Sequence, residues 1–390
     1  MNRKPKIAIY SGDIPSTTFI ERLIEGLSQD AYEIYVFGFI KTKVKYKGSV
    51  SVYAYKNNRA YKLFYLLKYT VLLSLFRRKE KRKLDSLIKS QSKNVLLDKV
   101  KSYPVLWHKP DVFHLQWVKG LDNWMWVQDF GIKLVVSLRG AHINYSPLAN
   151  AQLAEMYRKN FPNVDGFHAV SKAIANEAEK YNAPKNNIKV VYSGLPFYDK
   201  VTLTNTPNKP FKIISIGRSH WKKGYSYSLD ACKLLKDDNF NFNYTIVGAA
   251  NAIEYNYQVH DLGLSKEVVL MDKLPYDDVQ RLIQQADMLL LPSVEEGVAN
   301  VVLEAMNNNT VVLTTDCGGM TEVVKDGNNG FVVPIRDAVV IANKIKEIAG
   351  MPQNSVETIK TKALKSIKES HTQQLMVQGM AELYQNTLQC

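Results

Sequence analysis

Short apolar runs punctuate the chain, each followed by a turn and then by a segment of helical spacing. KIAIY (6–10) leads into the turn-like SGDIPS and then into FIERLIEGLSQ, whose apolar positions fall on one helical face. EIYVFGF (33–39), DVFHLQW (111–117), KLVVSLRG (133–140) and GFHAVS (166–171) continue the pattern. It restarts with KIISIGR (212–218) and runs on through YTIVGA, EVVLMDKL, MLLLPS, TVVLTT and GFVVP. Runs this apolar fit strands covered on both faces, as in parallel sheets. Two such series, divided by the polar TLTNTPNKP (202–210), predict two doubly wound, Rossmann-like α/β domains. The predicted bounds are 1–203 and 204–370, with a C-terminal helix in 371–390 that could pack on either domain or back on the N-terminal one.

Length agrees with this division, because 390 residues exceed one ordinary core. Cys232, Cys317 and Cys390 are far apart and form no CxxC pair, which argues against a disulfide framework or zinc site and for a reducing, cytoplasmic setting. The start, MNRKPKIAIYSGD, lacks the apolar core of a signal peptide.

The formal charge of +14 calls for an anionic partner. That charge is focused. From Lys56 to Lys83 there are ten Lys or Arg and one acid, Glu80. Within RAYKLFYLLKYTVLLSLFRRKEKRK (59–83), lysines interrupt the apolar surface and a basic block ends it. The longest uncharged run lies between Lys68 and Arg77, short of the roughly 20 residues that span a bilayer. Interleaved aromatics and cations suit a helix lying in an anionic membrane interface. A helix packing on its domain with a solvated basic end is the alternative. No nucleic-acid-binding motif accompanies the charge.

The chemistry gathers in the second half. In EEGVANVVLEAM (295–306), Glu296 and Glu304 flank a small apolar segment that opens with Gly297. MLLLPS reads as the strand before it and VVLEAMNNN as a helix stopping at Asn307–Asn309. Glu296 then sits in a loop at a strand's carboxyl end, where open α/β sheets bind ligands. Gly297 and Ala299 keep the loop bare, Asn300 is placed as N-cap, and the first turn offers N–H groups to an anion. A phosphate on the helix start, with carboxylates taking hydroxyls on either side, fits a nucleotide sugar. Surface capping glutamates are the plainer reading. In ISIGRSHWKKGYSYSLDACKLL (214–235), Arg218 and Lys223 are placed to bracket a diphosphate, and Lys222 is read as an exposed loop charge.

GRSHWKKG, MLLLPS with EEGVANVVLEAM, and TTDCGGMTEVVKDGNNGFVV together resemble the retaining GT-B glycosyltransferases of family 4, across residues 212–333. VVYSGLPF (190–197) is similar to the strand before that family's linker, without its usual Asp. PSTTFIERLIEGL (15–27) resembles the first-helix region of polysaccharide-assembly members. The resemblance implies a GT-B architecture of two domains facing across a cleft. It implies Arg218, Lys223 and Glu296 as catalytic residues, the first two on the diphosphate and Glu296 on the transferred sugar. Glu304 would hold the ribose, the backbone of Gly297, Val298, Ala299, Asn300 and Val301 would meet sugar and phosphate, Gly217 would border the donor, and the loop at Lys273–Leu274 would meet the base. In SLRGAHINYSP, Arg139 stands where many relatives carry His, and His142 lies three residues on; Arg139, His142 or both are expected at the cleft, with no base assigned. A capping or surface role for His142 stays open. The Gly-rich acceptor loop is reduced to Ser11-Gly12-Asp13, and Trp117, Trp124 and Trp126 fit either an acceptor groove or the core.

The expected activity is retaining transfer of a hexose from a nucleoside diphosphate sugar, with UDP favoured, to a glycan or lipid-linked glycan in cell-surface polysaccharide synthesis. No cofactor and no metal are expected, the nucleotide sugar being substrate. The chain is expected in the cytoplasm, peripheral on the membrane's inner face. A sugar-nucleotide epimerase of the same fold and a non-catalytic scaffold at a membrane are the alternatives.

Overall fold

A computed structural model describes residues 3–29, 32–91, 94–196 and 210–389. The chain divides into two compact units. The first holds Met1–Val170, Ile174–Gly194 and Gln373–Cys390; the second holds Ser171–Ala173 and Leu195–Thr372. The expected boundary at 203/204, with nearly all of the polar linker, lies outside the described residues.

The first unit is built on seven parallel strands: β1 (Lys6–Ile14), β2 (Glu33–Ile40), β3 (Val50–Tyr55), β4 (Val112–Leu115), β5 (Lys133–Leu138), β6 (Gly166–Ala169) and β7 (Ile188–Val190). Their order is β3-β2-β1-β4-β5-β6-β7, so the chain reverses its direction of winding between β1 and β4. Its helices include α1 (Thr18–Ser28), α2 (Arg59–Phe76), α3 (Arg78–Gln91) and α4 (Val95–His108). The second unit has six parallel strands: β8 (Phe211–Ile216), β9 (Phe242–Val247), β10 (Val268–Met271), β11 (Met288–Leu291), β12 (Val311–Thr315) and β13 (Phe331–Val333). Their order is β10-β9-β8-β11-β12-β13, with the reversal between β8 and β11.

Three features differ from the sequence expectation. SGDIPS is no turn: β1 runs on to Ile14, pairing with β2 through a register shift between Tyr10 and Gly12. Gly12, at φ +89°, supplies the bulge that lets the strand continue. The 59–83 segment is two helices, because α2 ends at Arg77, whose guanidinium turns inward to the Leu106 carbonyl at 3.2 Å. The edge strand β3 is only partly covered, with Val52 open and burial confined to Ala54 and Tyr55 at its end, and Ser51 interrupts its apolar run.

The C-terminal helix Gln373–Gln389 packs within the first unit and closes a buried polar chain there. His168 Nε2 bonds the Val191 carbonyl at 2.9 Å, which can only accept, so this nitrogen carries the proton. His168 Nδ1 then accepts from Ser137 at 2.9 Å, and Ser137 accepts from His114 Nε2 at 2.8 Å. That leaves His114 Nδ1 to accept from the Tyr384 hydroxyl at 2.7 Å. Burial first, then neighbouring positive charge, pulls both imidazoles down, His168 to about 3 and His114 well below its ordinary value. Both rings are neutral when folded and gain a proton near 6.5 when unfolded. The His168 contribution is therefore complete above pH 6.5 and is lost as pH falls toward 3, and the His114 contribution is lost in the same direction. Denaturant titrations at several pH values below neutrality are expected to show stability falling by up to about 1.4 kcal/mol per pH unit for each ring. A double His114→Gln/His168→Gln chain should show a flatter slope, and identical slopes in the two proteins would refute this account.

Candidate functional site

The second unit's site forms where β8 and β11 part. Their pairing covers Met288 with Ile213 and Leu289 with Ile214 and then stops, although both strands continue. Such a crevice beyond the strand ends is where open sheets hold ligands.

From β8 the chain passes Gly217 and Arg218, makes a single turn over Trp221–Lys223, and enters the helix Tyr225–Asp237. His220 opens the turn, its Nδ1 accepting the Lys222 N–H at 3.3 Å. Burial, then Lys222 and Arg218, lower the His220 pKa, which suits this accepting role. Gly224, at φ +67°, ends the turn; a Cβ there would stand 1.9 Å from the Pro292 carbonyl oxygen. The two loops are tied again by the Val294 N–H on the Lys222 carbonyl at 2.7 Å.

This tie brings two ammonium groups onto one carboxylate. Lys223 Nζ lies 2.6 Å from Glu296 Oε1, and Lys222 Nζ lies 3.2 Å from Oε2. Glu296 is 7% exposed and also takes the Ser293 hydroxyl at 3.4 Å. Burial raises the Glu296 pKa, but Lys223 and then Lys222 outweigh it, so the carboxyl is held below its ordinary value. Lys222 is thus corrected: it is no exposed loop charge but a half-buried partner of the buried Glu296 carboxylate. Arg218 is exposed at the strand end and makes no ion pair among the described residues. Gly217 gives room to this arrangement, since a Cβ there would lie 2.9 Å from Lys223 Cε and 3.0 Å from the Tyr225 hydroxyl oxygen.

The loop after β12 fixes Glu296 from the other side. Cβ atoms on Gly318 and Gly319 would lie 1.8 Å from the Glu296 carbonyl oxygen and 2.2 Å from that of Gly297. Only bare backbone fits against backbone so closely. The helix Asn300–Asn307 follows, and Asn309 at φ +60° ends its exit turn. Asn300 is corrected too: Ala299 is the N-cap and Asn300 the first helical residue, with its Oδ1 buried and lacking a hydrogen-bond partner. Glu304, one turn along and half-buried, accepts from Gln280 Nε2 at 3.3 Å. Leu274, Val298 and Val301 are partly buried against one common apolar cluster, while Lys273 is exposed.

The remaining candidates belong to the first unit. Gly12 lies on the β1 bulge, and Asp13 is tied to Lys41 at 2.8 Å. Arg139, at the end of β5, donates to Gln116 Oε1 at 3.1 Å and stacks over Phe19 at 4.3 Å. Its Nε is buried with no hydrogen-bond partner, and burial pulls the guanidinium down to about 9, still charged at neutral pH. His142 packs edge-on to Trp117 at 5.5 Å, and its carbonyl accepts from Tyr157. Trp124 and Trp126 are buried, whereas Trp117 is half-buried with its indole N–H on the Ser11 carbonyl at 3.0 Å. These rings, with Tyr10, Asp98 and Lys101, line a cavity of about 240 Å³ off the ends of β1 and β4, the switch point of the seven-stranded sheet. No three His, Cys, Asp or Glu side chains gather as a metal site among the described residues. His220 and the Gly318–Gly319 contact had no signal in the sequence reading beyond the motifs that contain them.

Comparison with known proteins gives this geometry a setting. The chain is 24% identical over 315 residues to the colanic acid biosynthesis glycosyltransferase WcaL of Escherichia coli strain K12, covering 76% of this chain and 75% of that protein. It is 25% identical over 222 residues to the amylovoran biosynthesis glycosyltransferase AmsK of Erwinia amylovora, covering 54% of this chain and 53%, or about half the length, of that relative. Among solved structures, Anabaena HepE in complex with UDP-glucose matches at a TM-score of 0.72 and 18% identity, over 97% of this chain and 98% of its own. The two parallel-sheet units thus have GT-B glycosyltransferases as structural neighbours. Residues 202–366 match the family model of the glycosyl transferases group 1, and the clamp at Lys222, Lys223 and Glu296 lies inside that domain.

Proposed function

We propose that the chain is a retaining, metal-independent glycosyltransferase of family 4 that moves a hexose from a nucleoside diphosphate sugar to a hydroxyl of a glycan or lipid-linked glycan in polysaccharide biosynthesis. The observation that carries this reading is the buried Glu296 carboxylate held by two ammoniums at a sheet switch point, beside a helix start. Two cations against one carboxylate leave positive charge to spare, and Arg218 adds more. A diphosphate is the ligand that uses all three. UDP is favoured because the HepE neighbour is described with UDP-glucose. The relatives' names favour an exopolysaccharide acceptor.

In the proposed step, the bond between the anomeric carbon and the diphosphate oxygen breaks, and its electron pair leaves with the diphosphate. The acceptor oxygen bonds to the same face of that carbon. Its proton passes to the departing phosphate oxygen, so the products are a glycoside and a nucleoside diphosphate. Lys223, Lys222, Arg218 and the start of the Asn300–Asn307 helix stabilise the leaving charge. Glu296, kept ionised and clamped, orients sugar hydroxyls, and Glu304 takes those of the ribose. Arg139, with an unmet donor, is the first unit's candidate for a substrate oxygen, with His142 beside Trp117; the aromatic cavity is its candidate acceptor pocket. We place the chain at the inner face of the cell membrane as a peripheral protein.

Arg218→Ala is expected to lower nucleotide release with a UDP-sugar and extracted lipid-linked oligosaccharide by roughly 10²-fold or more. Its melting temperature should stay near that of the parent, because Arg218 is exposed. Full physiological activity in that variant would favour a scaffold, and donor turnover without acceptor would favour an epimerase. Lys223→Ala is expected to cost both turnover and stability, since it leaves Glu296 buried with one partner fewer. EDTA should leave turnover unchanged; loss that manganese restores would overturn the metal-independent step.

A further inference from the structure

We infer that one face of α2 is a membrane-docking surface whose occupant is an anionic lipid leaflet. This deepens the peripheral placement proposed above and is independent of the transfer chemistry.

Helix α2 is attached by one ridge only. Tyr65, Tyr69 and Leu73, spaced four apart, are buried in the first unit. On the opposite side Phe64, Leu67, Val71 and Leu75 follow at intervals of three and four and form a stripe along the helix. Phe64 is 69% and Leu75 70% exposed, and Phe76 at the helix end reaches 71%. Large apolar side chains so open, and so aligned, are a surface for something other than water. No helix among the described residues is long and apolar enough to cross a membrane, so α2 would lie in the interface.

Charge selects the occupant. Helix α2 carries Arg59, Lys62 and Lys68 and no acid. Directly after it come Arg78, Lys79 and Arg82, all exposed and without a carboxylate partner among the described residues. The one acid of the block, Glu80, is already taken by Arg77 and Lys109. Lys81 and Lys83 are likewise spent, on Asp85 and Asp129. A second copy seated on this stripe would bring like charges together. An anionic leaflet offers apolar depth for the stripe and negative headgroups for the cations. The docking helix packs on α4, and α4 lines the aromatic cavity through Asp98, Lys101 and Ser102, so leaflet and cavity are served by adjoining helices.

The test uses the full chain with vesicles of phosphatidylcholine alone or mixed in equal parts with phosphatidylglycerol, and no donor or acceptor. Co-sedimentation is expected with the anionic vesicles only, with release as salt rises from about 0.1 M to about 1 M and the screening length shrinks from about 10 to about 3 Å. Leu67→Glu/Leu75→Glu, and separately Arg78→Gln/Lys79→Gln/Arg82→Gln, should each weaken binding at least tenfold with melting temperature unchanged. Equal binding to both vesicle types, binding that ignores the stripe variant, or no binding would overturn the inference. Sedimentation velocity without lipid closes the last case: a dimer that Leu67→Glu/Leu75→Glu dissolves would show that a second copy covers this face. Vesicle binding without transfer, or transfer without vesicle binding, separates this inference from the catalytic reading.

Discussion

Two ammonium groups and a carboxylate, drawn away from water where β8 and β11 part, set the terms for everything around them in the second unit. Taking an ion out of water costs several kcal/mol even after relaxation, so such a group persists only with close and complete partners. Glu296 has them, at 2.6 and 3.2 Å from Lys223 and Lys222 and with Ser293 beside it. The lysines do not have them in equal measure, because one carboxylate divides its charge between two cations. The result is a place that is already desolvated and still positive. An anion arriving there meets charges that need no reorganisation, which is the condition under which electrostatic stabilisation is most effective.

That clamp depends on backbones approaching more closely than side chains allow. The Pro292 carbonyl fills the place of a Gly224 side chain, and the Glu296 carbonyl fills that of Gly318. Both glycines also hold positive φ, +67° and +51°, so the constraint is conformational as well as spatial. Three separate loops, after β8, β11 and β12, are thereby locked into one rigid support. The lysine turn cannot drift from the glutamate loop, because Val294 and Lys222 share a backbone hydrogen bond. The geometry of the clamp is a property of the sheet ends, not of flexible side chains finding each other.

How much of this was legible in the sequence follows from the range of each interaction. Inner parallel strands are apolar throughout, so their order along the chain is legible, whereas β3 at the sheet edge is mostly half-covered and broken by Ser51, so its signal is weak. The break of the basic segment at Arg77 depends on a carbonyl 29 residues away, which no local pattern records. Two lysines in a loop carry no local sign of a partner, so Lys222 reads as an exposed charge; in the tight turn Trp221–Lys223 both ammoniums reach the same carboxylate. The contact itself joins residues 73 and 74 positions apart and exists only once β8 and β11 lie side by side. Asn300 was one position from the true N-cap, an error of the size that helix ends always invite.

The buried polar groups of the molecule sort themselves by whether their hydrogen bonds close. His114, Ser137, His168 and Tyr384 form a chain that ends on a backbone carbonyl, with the Gln116 amide also within 3.0 Å of His114 Nδ1. Nothing is left over for a substrate, so the histidines act as fasteners of the C-terminal helix although they look catalytic in type. Arg139 is adjacent to that chain through Gln116, yet its Nε ends on nothing. Asn300 Oδ1, at the helix start beside the clamp, and the Trp126 indole nitrogen, on the wall of the aromatic cavity, are open in the same way. An unmet buried donor or acceptor costs about 1–3 kcal/mol, a cost a ligand or ordered water can remove. Two of these unmet atoms, Asn300 Oδ1 and Trp126 Nε1, fall at the two sheet switch points, where the parallel topology alone would put a binding site; Arg139 Nε follows β5, and the Tyr46 and Tyr65 hydroxyls are buried and unmet elsewhere in the first unit.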